Sequence, residues 1–434
     1  MIRALLLAAA VPATASGTQE GDAMSREAQV AAFVDAHLEE AIALLQRVVD
    51  INSGTMNFDG VRAVGDVFRA ELDALGFRTR WVPGDAFGRA GHLVAEKPGS
   101  GPRLLLIGHL DTVFEPDSPF QRFQRDGWTA TGPGVLDMKG GDVVLLYALK
   151  AIAAAGRLEE MAVSVILTGD EESTGAPLSE GRGELRRLAE ESHFAIGFED
   201  GDGDTGTAVI ARRGSSSWEI EVGGVRAHSS LIHKPEVGAG AIFEAGRILS
   251  ALHGIRDEGM SLSAGLVLGG TSVDFDRAHD RGSATGKENV VPERVVITGD
   301  LRPTSQAQLE EVRQRIREAV AASLPRTRAE VRFRDSYPPM EATTGNRRVL
   351  ALLDQASRDL QLGPVSAAPI HQLGAADVSF AAPHVEGAID GLGLGGRGGH
   401  TVAETADLRT LALQAKRAAA LMLRLSGGGF GEGD

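Results

Sequence analysis

The sequence predicts an α/β protein with a mostly parallel sheet, into which a smaller α+β unit is inserted. Three observations lead to this fold class. A chain of 434 residues is too long for one ordinary core, so two domains are expected. Helical patterns alternate with short apolar runs up to residue 198 and again from residue 346, which is typical of βαβ units. Between residues 214 and 335 the order becomes β-α-β-β-α-β, that of a ferredoxin-like unit.

These changes of pattern divide the chain into four segments. We predict a signal peptide and spacer at residues 1–22, a larger unit formed by 23–213 and 336–434, and an inserted unit at 214–335. The N-terminus, MIRALLLAAAVPATASG, has one arginine, a short apolar run and small residues at an A-x-A site, which is typical of a secretory signal. The alternative is a frayed apolar N-terminus or an artefact of the start site. We therefore expect a secreted or periplasmic protein.

Composition excludes several classes of function. Hydrophobic residues make up 43% of the chain and charged residues 24%, as in soluble globular proteins. A net charge of −15 argues against nucleic acid or an anionic membrane surface as the partner. The absence of cysteine excludes disulfides, thiolate ligands and a cysteine nucleophile. Any metal must be held by His, Asp and Glu, a set that suits zinc, manganese or cobalt.

The first part of the larger unit begins with helices and continues with strands and helices in alternation. Apolar residues at helical spacing predict the helices, and short runs rich in Val, Ile and Leu predict buried strands. Glycines follow the first two helices, where a positive φ suits a helix end. The predicted order is helix 27–49, helix 60–75, strand 78–82, strand 92–95, strand 104–107, helix 142–155, strand 162–167, helix 180–191 and strand 193–198.

The inserted unit has a different texture. Residues 216–222 alternate apolar and polar, as a half-exposed antiparallel strand does. The predicted order continues with helix 238–253, strand 262–268, strand 294–301, helix 306–324 and strand 329–334. Helices at 346–360 and 405–425 then return to the larger unit and close the fold.

Polar side chains follow three predicted strands at the point where each strand ends. His109 and Asp111 follow the first, Glu171 and Glu172 the second, and Glu199 the third. In parallel sheets, ligands gather beyond these carboxyl ends. An apolar strand that runs into an acidic pair is costly unless a cation lies there. The sequence therefore predicts a metal site at this edge.

Two further candidates follow glycine-rich turns. Asp137 comes after a Gly-Pro-Gly turn, and His400 ends a glycine-rich run. Each candidate alone has an ordinary alternative: the H-x-D histidine could be a satisfied surface or core residue, Asp137 a helix N-cap, the glutamates a solvated loop and His400 a hinge residue. Only their joint arrangement favours a metal site.

The charge of the candidate ligands is compatible with two divalent cations. Asp137, Glu172 and Glu199 carry three negative charges, so two such cations, with neutral histidine ligands, leave about one positive charge. That charge lowers the pKa of a bound water towards neutrality. Asp111 is well placed to accept the second N–H of His109, and Glu171 is the natural general base.

Five motifs in this order resemble the M20 metallopeptidase family, and within it the glutamate carboxypeptidase (carboxypeptidase G2-like) branch. They read H-L-D-T-V-F at 109–114, G-P-G-V-L-D-M-K-G-G at 132–141, G-D-E-E-S-T-G at 169–175, F-E-D at 198–200 and G-G-H-T at 398–401. The resemblance covers residues 26–425 and implies a zinc-peptidase catalytic domain with an inserted lid and dimerisation domain. It implies two metal ions, most simply zinc, with Glu171 as base and Asp111 behind His109. The implied ligands are His109, Asp137 as the bridge, Glu172, Glu199 and His400.

The resemblance also implies roles for residues outside the metal cluster. The motif V-x-G-x-x-A-H-S at 222–229 implies that His228 reaches the site of a second subunit of a homodimer and steadies an oxyanion. Asn289 and Arg302 resemble substrate contacts, Arg302 being suited to a carboxylate. Gly374 is a further implied substrate contact, but there the family pattern G-x-S-D-x-x-F reads G-A-A-D-V-S-F, with alanine replacing a small hydroxyl residue.

The expected function is hydrolysis of an amide bond by a metal-bound hydroxide, with Glu171 as general base. The substrate is expected to be an N-acyl or N-peptidyl amino acid that loses a C-terminal, glutamate-like residue. The alternatives are an N-acyl-amino-acid deacylase or a dipeptidase of the same family, and, from a different class, a non-catalytic binding member.

Overall fold

The structure is a computed structural model that describes residues 25–277 and 279–427. The predicted signal segment, residues 1–22, lies outside the described residues. Within the described residues the α-helices are α1 Arg26–Ala36, α2 Leu38–Val49, α3 Phe58–Ala74, α4 Lys139–Ala154, α5 Leu178–Gly181, α6 Gly183–Glu190, α7 Ala241–His253, α8 Gln306–Ala321, α9 Thr344–Asp359, α10 Val378–Ala381 and α11 Arg409–Ser426. In this part of the chain no helix is both long enough and apolar enough to span a bilayer.

The strands follow in chain order. They are β1 Arg78–Pro83, β2 Gly91–Lys97, β3 Ser100–His109, β4 Gln124–Asp126, β5 Thr129–Thr131, β6 Met161–Thr168, β7 Phe194–Gly197, β8 Thr207–Ala208, β9 Ser216–Gly223, β10 Ala227–His228, β11 Ser261–Gly270, β12 Ser272–Asp276, β13 Arg281–Thr285, β14 Val290–Val291, β15 Arg294–Arg302, β16 Arg328–Asp335, β17 Ser366–Ala367, β18 Gly387–Ile389, β19 Gly396–Arg397 and β20 Thr405–Asp407.

The larger unit is built on a six-stranded sheet of order β1-β2-β6-β3-β7-β18. Strands β6, β3, β7 and β18 are parallel to one another, while β1 and β2 form an antiparallel edge. Because successive side chains of a strand point to opposite faces, β3 serves two cores. Leu104 and Leu106 pack with helices α1 to α4 and α11, whereas Leu105 and Ile107 pack with α6 and α10. Both faces are covered, as the predicted α/β class requires.

The inserted unit has its own sheet and core. Its strands have the order β11-β15-β9-β16, and every neighbouring pair is antiparallel. Helices α7 and α8 pack on one face around Trp218, Ile220 and Ile316. This is the ferredoxin-like arrangement that the sequence predicts. The boundaries at residues 213/214 and 335/336 stay predictions.

The structure adds a hairpin that the sequence analysis does not predict. Strands β12 and β13 pair with each other, and in the sequence they lie between β11 and β15. Arg277, which follows β12, forms an ion pair with Glu219 of β9 at 2.7 Å, and Val273 is buried. The hairpin therefore packs against the sheet of the inserted unit.

Three predicted helices differ from the observed ones for local reasons. Helix 27–49 is divided at His37, whose Nδ1 lies 2.8 Å from the carbonyl oxygen of Phe33. Helix 180–191 is divided at Arg182, whose side chain turns into the interior. The last helix begins at Arg409 rather than at 405, because Thr405–Asp407 pairs as a strand with Thr129–Thr131.

Candidate metal centre

The candidate centre lies where three parallel strands end side by side. Strand β3 lies between β6 and β7 and ends at His109. The chain leaves β6 at Thr168, just before Glu171 and Glu172, and leaves β7 at Gly197, just before Glu199. Adjacent strand ends thus bring these side chains together, as expected for a parallel sheet.

Asp137 lies between two groups of potential ligands, each with a histidine and a glutamate. On one side, His109 Nε2 lies 3.2 Å from Asp137 Oδ1 and 3.3 Å from Glu199 Oε1. On the other side, His400 Nε2 lies 3.0 Å from Asp137 Oδ2 and 3.0 Å from Glu172 Oε2. The two oxygens of one carboxylate therefore face two different histidines. All five predicted ligands meet in the structure, and Asp137 has the position of a bridge.

Asp111 connects His109 with the loop that carries the two glutamates. Its carboxylate is fully buried and accepts hydrogen bonds from the backbone N–H groups of Glu171 at 3.1 Å and Glu172 at 3.2 Å, and from Thr55 Oγ1 at 2.6 Å. His109 Nδ1 lies 3.4 Å from Asp111 Oδ1 and 3.0 Å from its backbone oxygen. Asp111 therefore contacts the ring of His109, but more closely through its backbone oxygen than through the predicted carboxylate, and it also orients the neighbouring loop.

The closely packed carboxylates of the cluster favour the binding of positive charge. Burial opposes the charged form of His109, yet the carboxylates of Glu199, Asp111 and Asp137 raise its pKa well above the usual value. Hydrogen bonds to Asp137 and Glu172 raise the pKa of His400 to about 11. Burial and the nearby Asp137 raise the pKa of Glu172 to about 7 and also raise that of Glu199. Carboxylates packed this closely bind cations, either protons or metal ions.

The donor set fits metal ions. His109, Asp137 and Glu172 offer ligand atoms within 4.8 Å of one another, and so do His109, Glu171 and Glu199. Glu172 Oε1 is buried and accepts no hydrogen bond from the residues that the structure describes. A buried carboxylate oxygen without a donor is costly unless a cation approaches it. Glu171 is itself close enough to count as a ligand, so its predicted role as a base needs a functional test.

Glu404 is a residue of this centre that the sequence analysis did not find. Its carboxylate is fully buried and accepts backbone N–H groups from Leu136 at 2.8 Å, Asp137 at 3.2 Å and Gly134 at 3.4 Å. It lies four residues after His400, just before β20, which pairs with β5. Glu404 thus joins the segments that supply His400 and Asp137. Its position just after G-G-H-T was the only available signal.

The remaining predicted site residues do not contact the metal cluster within this chain. His228 of β10 pairs with Val290 of β14, so it lies beside Asn289, and its Nδ1 is 2.8 Å from Ser230 Oγ. His228 and Asn289 therefore lie near the start of β15. Arg302 is the last residue of that strand and forms an ion pair with Asp300 at 2.9 Å. Eight steps of antiparallel strand separate the two ends by about 27 Å.

Gly374 lies in the larger unit, outside both groups. Its carbonyl oxygen accepts a hydrogen bond from Arg212 Nη1 at 3.0 Å. Arg212 is buried and also pairs with Asp390 at 2.8 Å. The backbone oxygen of Gly374 therefore already serves a buried structural contact.

Comparisons with known proteins identify the family and similar chains. The family model described as peptidase family M20/M25/M40 matches residues 105–424. Carboxypeptidase G2 of Pseudomonas sp. (strain RS-16) is 25% identical over 394 residues, which are 89% of either chain. Succinyl-diaminopimelate desuccinylase of Acidiphilium cryptum is 30% identical over 305 residues, 66% of this chain and 74% of that protein.

A solved structure shares the fold. The YXEP protein of Bacillus subtilis, described as a dinuclear metal-binding peptidase, superposes with a TM-score of 0.64 at 16% identity. The superposition covers 91% of this chain and 99% of that one. The likeness extends over both the larger and the inserted unit.

Proposed function

Because the chain belongs to peptidase family M20/M25/M40, we propose that it is a hydrolase that uses two metal ions to cleave an amide bond next to a free carboxylate. One observation carries the proposal: the two oxygens of Asp137 face two separate histidine–glutamate pairs. A bridging carboxylate with two such sets of ligands is the arrangement of dinuclear hydrolases. The name of the Bacillus subtilis protein supports the same number of ions.

The two groups of contacts indicate which residues would hold each ion. His109 and Glu199 would hold one, His400 and Glu172 the other, and Asp137 both. Nitrogen and oxygen donors without sulfur are compatible with zinc, which we propose as the resident metal. When bound, such ions polarise a carbonyl group and lower the pKa of water.

Glu171 is proposed as the general base. It lies next to Glu172, and its side chain shares a group of ligand atoms with His109 and Glu199. Burial and the nearby Glu199, Asp377 and Glu172 raise its pKa well above the usual value, although His109 opposes this. A carboxyl group with a raised pKa both takes a proton from water and returns it to a leaving amine near neutral pH.

The substrate we propose is an N-acyl or N-peptidyl amino acid whose C-terminal residue is glutamate-like. The similarity to carboxypeptidase G2 supports this choice, and Arg302 offers a guanidinium group for a substrate carboxylate. The similarity to desuccinylases favours a second candidate, an N-acyl-amino-acid deacylase. A dipeptidase of the same family would use the same side chains.

We further propose that the protein is a homodimer joined through the inserted unit. Five exposed apolar side chains belong to this unit: Val225, Leu231, Ile242, Phe243 and Val267. Val267 belongs to β11, an edge strand of the sheet, and Ile242 approaches the same strand at Gly269. A second copy of the chain would cover this surface. It would also explain how His228, which has no contact with the cluster of its own chain in the part that the structure describes, serves a site.

Replacing Glu171 by glutamine tests the base. We expect Glu171→Gln to retain its two zinc ions and to lose activity by about 10²- to 10⁴-fold, the usual contribution of a general base. The neighbouring variant Glu172→Gln is the matched control, because it should lose zinc as well as activity. Zinc content is measured after dialysis, and hydrolysis on a panel of N-acyl amino acids and dipeptides. Parental activity in Glu171→Gln would exclude the base.

Export is the last part of the proposal. The signal-like residues 1–22 support it. Expression of the full chain in a bacterium, followed by N-terminal sequencing of the periplasmic protein, tests it: a cleaved chain that begins after the A-x-A site is expected, and an uncleaved cytoplasmic chain would contradict it.

A further inference from the structure

A tyrosine connects the junction of the two units with the loop that carries Glu171. The chain enters the inserted unit through residues 212–216 and leaves it through 335–340. These two crossings are joined by backbone hydrogen bonds: Ser215 N–H to Tyr337 O at 2.8 Å, and Arg212 and Met340 in both directions at 2.9 and 3.0 Å. The crossings thus form a short ladder, which we call the hinge.

The side chain of Tyr337 leaves the hinge and enters the larger unit. It is 9% exposed and packs in the core cluster of Phe380, with ring centroids 5.2 Å apart. Its hydroxyl group donates a hydrogen bond to the backbone oxygen of Glu171 at 2.9 Å. The hydroxyl also accepts one from Arg182 Nη2 at 3.2 Å. The backbone of Tyr337 therefore belongs to the hinge, while its hydroxyl group contacts the loop that carries Glu171.

The backbone of Glu171 has one partner on each side. Its N–H group donates to Asp111, which also contacts His109. Its carbonyl oxygen accepts from Tyr337. The carboxylate of the preceding residue, Asp170, forms an ion pair with Arg182 at 2.5 Å. The hydroxyl group of Tyr337 thus joins this loop to the hinge by a direct hydrogen bond.

We propose that Tyr337 is a positioning residue that couples the orientation of the inserted unit to the position of Glu171. A rotation of the inserted unit about the hinge moves the Tyr337 backbone, and the hydroxyl group transmits the movement to the Glu171 carbonyl. The effect would be to align the base only when the inserted unit is closed over a substrate. The inference rests on the proposed role of Glu171.

The chain offers a matched pair of substitutions, because it contains only two tyrosines. Tyr337→Phe removes the hydroxyl group and keeps the ring. Tyr147→Phe removes the other hydroxyl group, from a side chain that is also buried but lies in α4. We expect Tyr337→Phe to lower kcat about tenfold to a hundredfold, as small misplacements of a reacting group do, with zinc content unchanged and KM within about twofold. Tyr147→Phe should leave kcat and KM at the parental values.

A double-mutant cycle separates positioning from a general loss of structure. If Tyr337 acts through Glu171, Tyr337→Phe should lower kcat in the parent but cause little further loss in the Glu171→Gln background. An equal loss in both backgrounds would overturn the proposal. The proposal would also be overturned if Tyr337→Phe had the parental kcat while Glu171→Gln was inactive. Parental activity in Glu171→Gln would instead remove the proposed function on which the inference rests.

The hinge part of the proposal has its own variant. A Cβ atom at Gly214 would lie 2.8 Å from Pro339 N and 3.0 Å from the carbonyl oxygen of Tyr337, so Gly214→Ala must displace the hinge. We expect Gly214→Ala to lower kcat in the parent and much less in the Tyr337→Phe background. An equal decrease in both would show that the hinge acts on the reaction without Tyr337, and would overturn the coupling.

Discussion

Removing the buried arginine beside the loop that carries Glu171 should destabilise the larger unit strongly. Arg182 is fully buried, and its guanidinium group pairs with Asp170 at 2.5 Å and Asp377 at 2.7 Å. Burial opposes its charge, yet Asp377, Tyr337 and Asp170 keep its pKa well above the usual value. In Arg182→Met, both carboxylates lose their buried cation.

The contacts set the size of the effect. Each carboxylate keeps one strong donor: Gly175 N–H to Asp170 at 2.8 Å, and Thr168 Oγ1 to Asp377 at 2.6 Å. Breaking a buried ion pair by removing one partner costs about 3–5 kcal/mol.

Arg187→Met is the matched control, because it lies on the next helix but at the surface. Its side chain is 39% exposed and pairs with Glu184 and Glu191 at 2.7 Å. Exposed pairs of this kind contribute about 1 kcal/mol or less. Both variants are unfolded in urea, with a chelator present so that metal binding adds nothing to stability. Trp81 reports on the larger unit and Trp218 on the inserted one. A loss of stability in Arg182→Met no larger than that in Arg187→Met would refute the reasoning.

Two further predictions concern the metal ions and the dimer. His400 is 59% exposed and contacts only one oxygen of Asp137, so we expect His400→Ala to bind one zinc ion instead of two. Zinc binding is measured by titration calorimetry, with His384→Ala as the control. Two zinc ions bound by His400→Ala would contradict the assignment. His228→Ala and Glu171→Gln subunits, each inactive alone, should regain about one quarter of the parental activity when unfolded and refolded together in equal amounts, because half of the dimers are mixed and each has one complete site. No recovery with dimers present would exclude a shared site.

The order of the main elements along the chain and the candidate ligands of the centre were predictable because they follow local patterns. An apolar run that ends in His109 or Glu172 identifies both a strand and its functional end. The ferredoxin-like order of the inserted unit was predictable for the same reason. The family resemblance is confirmed by the match over residues 105–424.

The supporting residues were not predictable, because their partners are remote in sequence. Arg182 lies within a pattern that reads as an amphipathic helix, and its burial depends on Asp377, 195 residues later. Glu404 looks like a loop carboxylate until its partner Leu136, 268 residues earlier, is known. Tyr337 contacts the Glu171 carbonyl across 166 residues. A sequence shows which residues can bind protons or metals, whereas such tertiary contacts depend on the folded arrangement.

The position of β18 has a consequence for synthesis on the ribosome. This strand, Gly387–Ile389, completes the six-stranded sheet beside β7, although about 190 residues separate the two. While the intervening chain is synthesised, the inserted unit can fold around its separate core. During that time the edge of β7 that later pairs with β18 has unpaired backbone groups. His400 and Glu404 emerge later still, so the nascent larger unit lacks one of its five candidate ligands, and the carboxylate that holds the Asp137 segment, until translation is nearly finished. Premature termination anywhere before residue 387 should therefore yield aggregation-prone fragments rather than a slow enzyme.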